Sequence, residues 1–331
     1  MGNALVDIMI PLDDDLTLAE LGLPKGSMQL FDKERSNQIL DKLKGRKWSQ
    51  SAGGSAANTV HGLSCLGAPT GYIGVIGEDE LGGFFVRELI NAGVEPHLIH
   101  STEETGRAIA LISPDSERTF ATFLGAAIEL SAEHLGVPSS QFPVPSSQFS
   151  VGNIFSHYDY FHLEGYLVLN HELVEVAAML AKKNNLVVSI DLASYNVVEA
   201  NRDFLEEIIK KYVDIVFANE EEAKAFTGKE PPEALSEISK LCKIAVVKTG
   251  SKGSMVKRGK EVVQIDAIPA NVVDTTGAGD LYASGFLYGL SNDMPLKRCG
   301  EIGALLAGSV IEVIGSKMPT AVWRDLIGKI Q

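Results

Sequence analysis

Short apolar runs of strand character alternate with amphipathic helical patterns along most of this chain. Thr70–Ile76 is a β-prone run bounded by turn residues, and Leu81–Ala92 places its apolar residues at helical spacing. The alternation continues with a strand at Tyr158–Leu163, a helix at His171–Lys183, a strand at Leu186–Asp191 and a helix at Phe204–Lys211. Asp214–Phe217 then reads as strand, Glu220–Phe226 as helix and Ile244–Lys248 as strand. Two helical patterns, Leu281–Leu290 and Leu296–Ile314, close the C-terminal side. Repeated strand–helix units imply a mostly parallel central sheet covered by helices on both faces, an α/β sandwich of three layers. A single domain over residues 1–331 is expected.

Two segments, about 9–50 and 105–124, break the alternation. Within the second, Arg107–Phe123 reads as a hairpin turning at Ser113-Pro114-Asp115-Ser116. Together they predict a small β lid over one edge of the main sheet. A third segment, 137–150, is a tandem near-duplicate of seven residues rich in Pro and Ser, and reads as a surface insertion.

Composition narrows the partners. A chain of 331 residues, 45% of them hydrophobic, has ample material for a core. A formal net charge of -14 argues against nucleic acid, which demands a broad basic surface. An anionic ligand must therefore be met by a local device. Cys65, Cys242 and Cys299 are widely spaced without a CxxC pair, the pattern of reduced thiols in a cytoplasmic protein. No run approaches the roughly 20 apolar residues that a membrane span needs, and no leader is evident. Met1-Gly2 does not begin a myristoylation signal, because Val6 stands where Ser or Thr is required.

The candidate device lies at Val272–Asp280, where a strand end passes through a glycine turn into a helical pattern. Gly277 and Gly279, flanking Ala278, permit a tight turn whose N–H groups converge on an anion, and the helix adds the positive end of its dipole. Asp280 would be repelled by a bound phosphate unless it serves as a proton acceptor or cation partner; the plainer reading is an acid opening a helix.

Near the other end, Asn3 and Asp7, four residues apart on a predicted strand, share a face and suit vicinal hydroxyls, unless they merely cap a strand end. Gly53 and Gly54 permit close approach of backbone to a sugar, with Asn58 adding a side-chain contact; the alternative is an ordinary helix start. Lys248–Gly253 lacks the spacing of a Walker loop. His157, Asp159 and His162 alternate along a strand and do not make a metal trio.

Asp274-Thr275-Thr276-Gly277-Ala278-Gly279-Asp280, with Asn3-Ala4-Leu5-Val6-Asp7 and Gly53-Gly54-Ser55-Ala56-Ala57-Asn58, resembles the motifs of the ribokinase/PfkB family of carbohydrate and nucleoside kinases. Their order and spacing cover nearly the whole chain and lean towards its adenosine kinase-like branch. The resemblance implies a ribokinase-like fold and transfer of the γ-phosphate of ATP, with Mg²⁺, to a primary hydroxyl. Asp280 would be the base, Gly277, Ala278 and Gly279 the anion turn, and Asp7 the holder of ribose hydroxyls, alongside Asn3, Gly53, Gly54 and Asn58. Asn219 and Glu222 look like the family's Asn-x-x-Glu motif, whose Glu organises Mg²⁺ through water, and Thr249, Gly250 and Gly253 would line the ATP site. Arg118 matches a lid arginine directed at the transferring phosphate. Asp274 and Thr276, with the turn near Gly315-Ser316, are the candidates for the monovalent cation, such as K⁺, found in many relatives. An adenosine-like ribonucleoside is the expected acceptor, a free sugar the alternative, and a non-catalytic nucleotide- or sugar-binding regulator the third reading. Monomer and homodimer both suit the sequence.

Overall fold

The computed structural model describes residues 1–115, 117–136 and 151–330. Thirteen strands are present among them: β1 (Leu5–Pro11), β2 (Met28–Leu30), β3 (Ser49–Gly53), β4 (Thr70–Gly77), β5 (Val94–Ser101), β6 (Gly106–Ile112) and β7 (Arg118–Phe123), followed by β8 (Tyr160–Glu164), β9 (Val187–Asp191), β10 (Ile215–Asn219), β11 (Ile244–Lys248), β12 (Ser254–Arg258) and β13 (Glu261–Ile265). The larger sheet runs β13-β12-β11-β10-β9-β8. Strands β8 to β11 are parallel, and β12 and β13 form an antiparallel edge. The parallel pair β4–β5 continues the sheet through residues 1–3, which bond to both sides. The Met1 amine donates to the His162 carbonyl at 2.8 Å, the Glu164 N–H donates to the Met1 carbonyl at 3.1 Å, and the Gly2 N–H donates to the Ile73 carbonyl at 3.3 Å.

Alternation along each strand divides the core into two layers. Val188, Ile190, Val216, Ala218, Ala245 and Val247 pack one way, against helices that include His171–Lys183 and Glu220–Thr227. Ile215, Phe217, Ile244 and Val246 pack the other way, against the helices Ala278–Ser291 and Leu296–Val310. The expected three-layer α/β sandwich is therefore present.

The second sheet, β2-β7-β6-β1-β3, is the small sheet expected as a lid, and the expected hairpin is its β6–β7 pair. It takes in β1 itself, so it begins at Leu5 and not after the first strand. Ile8, Ile10, Ile109, Leu111 and Ala121 face the helices Leu16–Leu21 and Lys33–Lys42, contributing to an apolar cluster with Leu18, Leu21 and Ile39. Arg107, buried, fastens the second of these helices by donating to Ser36 and Asn37. With one face covered, the opposite face of the lid is left for the cavity below it. The duplicated segment 137–150 lies outside the described residues.

Candidate active site

In open α/β sheets ligands bind in the crevice outside the carboxyl ends of the parallel strands. Here β8 ends in Glu164, β9 in Asp191, β10 in Asn219 and β11 in Lys248. Registers set Glu164 opposite Asp191 and Asn219 opposite Lys248, and because Asp191 pairs with Phe217 the four line this edge as a stepped row, the second pair two residues beyond the first. A cavity of about 1670 Å³ runs over this row, between the lid and the helix Leu296–Val310.

Two helices begin side by side at its floor. Gly54 precedes Ser55–Cys65 with φ +90°, and Gly277 precedes Ala278–Ser291 with φ +75°, both in the left-handed region where a side chain is strained. A Cβ on Gly54 would stand 2.3 Å from the Asn3 carbonyl oxygen, and one on Gly277 would stand 2.7 Å from the Ser316 Cβ. The Asp280 carboxylate joins the two helix starts: Ser55 Oγ donates to Oδ1 at 2.7 Å and Asn58 Nδ2 to Oδ2 at 2.9 Å. Burial pushes its pKa up, against the lowering effect of these donors. Each carboxylate oxygen keeps a lone pair for a further donor, which suits a base held in fixed orientation. Gly279 and Ala278 line the cavity beside it.

Asn3 and Asp7 do not share a strand. Asn3 precedes β1, and its amide donates to Glu164 Oε1 at 2.8 Å. Glu164, buried, also accepts from the Ala56 N–H at 3.1 Å and so anchors the first helix start. Asp7 lies over Gly53, where a Cβ would come within 2.1 Å of its Oδ1. Glycine at 53 is what makes room for that carboxylate. Burial pushes Asp7 up to about 7, partly countered by the nearby charges of Lys317 and Arg118.

Further along the row, Asn219 and Glu222 form a capping box at the start of Glu220–Thr227. The Asn219 N–H donates to Glu222 Oε2 at 2.8 Å, and its side-chain amide donates to Oε1 at 2.7 Å. Glu222 is buried and pushed up to about 7, first by burial and then by the Asp191 carboxylate. A carboxylate held this rigidly, lining the cavity, fits the water shell of a nucleotide-bound Mg²⁺. Among the described residues no cluster of three or more His, Cys, Asp or Glu forms a protein-only metal cage. Gly250 and Gly253 line the same end of the cavity. Thr249 is turned inward, its Oγ1 donating to the Gly253 carbonyl at 3.0 Å, so it shapes the loop from behind.

Arg118 reaches from β7 to the glycine turn. Its guanidinium pairs with Asp274 and donates to Thr276 Oγ1 at 2.5 Å. Asp274 also accepts from the N–H groups of Thr276 and Gly315. The place expected for a monovalent cation thus holds the Arg118 guanidinium in this structure. Ser316 and Lys317 follow Gly315 and donate to Asn58 Oδ1 at 2.8 and 3.2 Å, which turns the Asn58 NH₂ towards Asp280.

Glu164, Asp191, Lys248 and Lys317 escaped the sequence reading. For the first three the signal was available: each is the polar residue that ends an apolar parallel strand. Lys317 lies in a loop between helices and carries no comparable mark.

A mostly parallel sheet whose carboxyl edge faces a glycine turn and an oriented acid, all beneath a β lid, defines a small-molecule kinase of α/β type. The chain matches the pfkB family carbohydrate kinase over residues 27–321 and belongs to that family. The adenosine kinase of Sinorhizobium meliloti is 32% identical, with a TM-score of 0.86 over 99% of this chain and 97% of that one. A probable sugar kinase from Rhizobium etli is 31% identical, with a TM-score of 0.87 over 99% and 96%. By sequence, adenosine kinase 2 of Arabidopsis thaliana is 24% identical over 340 residues, 96% of this chain and 94% of its own length. The protein is accordingly a phosphotransferase that uses ATP to phosphorylate a hydroxyl group of a nucleoside or a sugar. No helix among the described residues is long and apolar enough to cross a membrane.

Proposed function

We propose that the acceptor is a purine ribonucleoside of adenosine type, phosphorylated at its primary hydroxyl. The apolar roof of the cavity carries this reading. Leu5, Met28, Leu30, Phe120 and Leu124 line it from the lid, and Met28 and Leu30 are 46% and 53% exposed although they face inward to the cavity. A flat heterocycle would bury these surfaces, at about 25 cal/mol per Å². A free sugar would set hydroxyls against them without partners, which costs free energy. The likeness to the Sinorhizobium meliloti adenosine kinase supports the same reading.

In this reading Asp7, Asn3 and the backbone of Gly53 and Gly54 hold the ribose, and Asn58 serves both ribose and base by fixing Asp280. Asp280 takes the proton of the attacking hydroxyl. The N–H groups of Gly277, Ala278 and Gly279 and the helix dipole behind them hold the charge that develops on the transferring group. ATP lies along Asn219, Gly250 and Gly253 towards the turn. Glu222 would hold the water shell of a Mg²⁺ brought in with ATP, which when bound would neutralise charge on the phosphate oxygens. Arg118 leaves Asp274 for the phosphate as the lid closes, a movement that excludes water from the transfer. Asp280→Asn is expected to lower turnover by two or more orders of magnitude while adenosine and ATP still bind by calorimetry. Turnover close to wild type in that variant would remove Asp280 from the role of base.

A further inference from the structure

We propose that Lys248 is a catalytic residue of the transfer, its ammonium held by Asp191 in the ligand-free cleft and moving onto the transferring phosphoryl group when ATP is present. Nζ lies 2.7 Å from Asp191 Oδ2, and the side chains are 15% and 8% exposed. Nζ is also 3.0 Å from the point that a Cβ on Gly279 would occupy, so the ammonium already stands at the mouth of the glycine turn. Of the residues that line the cavity among those described, Lys248 is the only lysine or arginine. Against it stand Glu164, Asp191, Glu220, Glu221, Glu222 and Asp280. A triphosphate entering such an acidic cleft is favoured by a protein cation beside the one it brings, and Lys248 already lines the cavity, without the movement that Arg118 would make.

The Asp191 pairing explains how a lysine can be kept there without closing the site. An ion pair this enclosed holds the ammonium charged and oriented, and a phosphate oxygen offers a second anionic partner within a rotamer change. In the reaction the acceptor oxygen bonds to the γ-phosphorus as the bond from phosphorus to the bridging oxygen of ADP breaks, and the hydroxyl proton goes to Asp280. Lys248 keeps its protons throughout and contributes charge alone. The inference rests on the glycine turn being the γ-phosphate site, and holds for either class of acceptor.

The test compares Lys248→Met, Lys248→Arg, the double variant Lys248→Met with Asp191→Asn, and Asp280→Asn. Lys248→Met should lower kcat about 100-fold or more, with KM for adenosine little changed, and Lys248→Arg should restore part of it. By calorimetry, affinity for a β,γ-imido analogue of ATP should fall more than affinity for ADP. The double variant, which removes both charges of the pair, guards against misfolding of the single one. A folded double variant with kcat near wild type, alongside an inactive Asp280→Asn, would overturn the inference and leave the turn's assignment standing. Activity retained in both would overturn that assignment instead.

Discussion

Asp7 illustrates what burial does to a single carboxyl group. Its folded-state pKa is raised to about 7, so between its unfolded value and neutrality the folded protein binds the proton that the unfolded chain releases. Stability contributed by the protonated form is therefore full at low pH and is lost as pH rises through about 7. In the ligand-free protein, Asp7→Asn should raise the thermal midpoint at pH 8 relative to wild type, with the difference shrinking towards pH 4. A difference that grows on acidification would contradict the burial account. The candidate site residues were picked out where they are neighbours in sequence: Gly277, Gly279 and Asp280 sit within four positions of one another, and Asn3 and Asp7 are four apart. The pairings of Glu164 with Asn3 and of Lys248 with Asp191 were not, because the partners lie 161 and 57 residues apart.

At the scale of elements, the site depends on two helices that begin in glycine. Gly277→Ala places a Cβ at φ +75° and against Ser316, which moves the turn or the loop behind Asn58. The cost should be on the order of 1–2 kcal/mol in stability by denaturant unfolding, with a kcat loss larger than that destabilisation explains. A variant as active and stable as wild type would show that the left-handed conformation is dispensable. Most elements followed from periodicity, since buried parallel strands read as unbroken apolar runs. The strand Val94–Ser101, the edge strands β12 and β13 and the helix Pro231–Ile238 were not among the expected elements. The helical pattern expected through Ile314 stops at Val310, because the chain turns at Gly315, φ +82°, to deliver Ser316 and Lys317 to Asn58. The further helix Thr320–Ile330, which buries Trp323, Leu326 and Ile330, was likewise not among the expected elements. The placement of β1 in the lid was equally hidden, since sheet membership is set by pairing with β3 and β6 and leaves no periodic trace.

Across the whole molecule the lid and the main sheet meet at the cavity, and the Arg118–Asp274 contact ties them on the side of the glycine turn. Replacing Arg118 with Ala leaves a buried Asp274 with only backbone donors, and should loosen the lid. Amide exchange in β6 and β7 is expected to accelerate in the ligand-free variant while β9 to β11 stay protected; unchanged exchange in the hairpin would show that other contacts hold the lid shut. The acceptor is the property on which the proposed function turns, because the roles proposed for the apolar roof, for Asn3 and Asp7 on a ribose and for Asp280 as base all depend on it. The direct measurement is phosphate transfer from labelled ATP with Mg²⁺ to adenosine, inosine, ribose, fructose and fructose 6-phosphate at equal concentration. The account predicts that kcat/KM for adenosine exceeds that for every free or phosphorylated sugar by a factor of ten or more. Preferential transfer to ribose or fructose would contradict it.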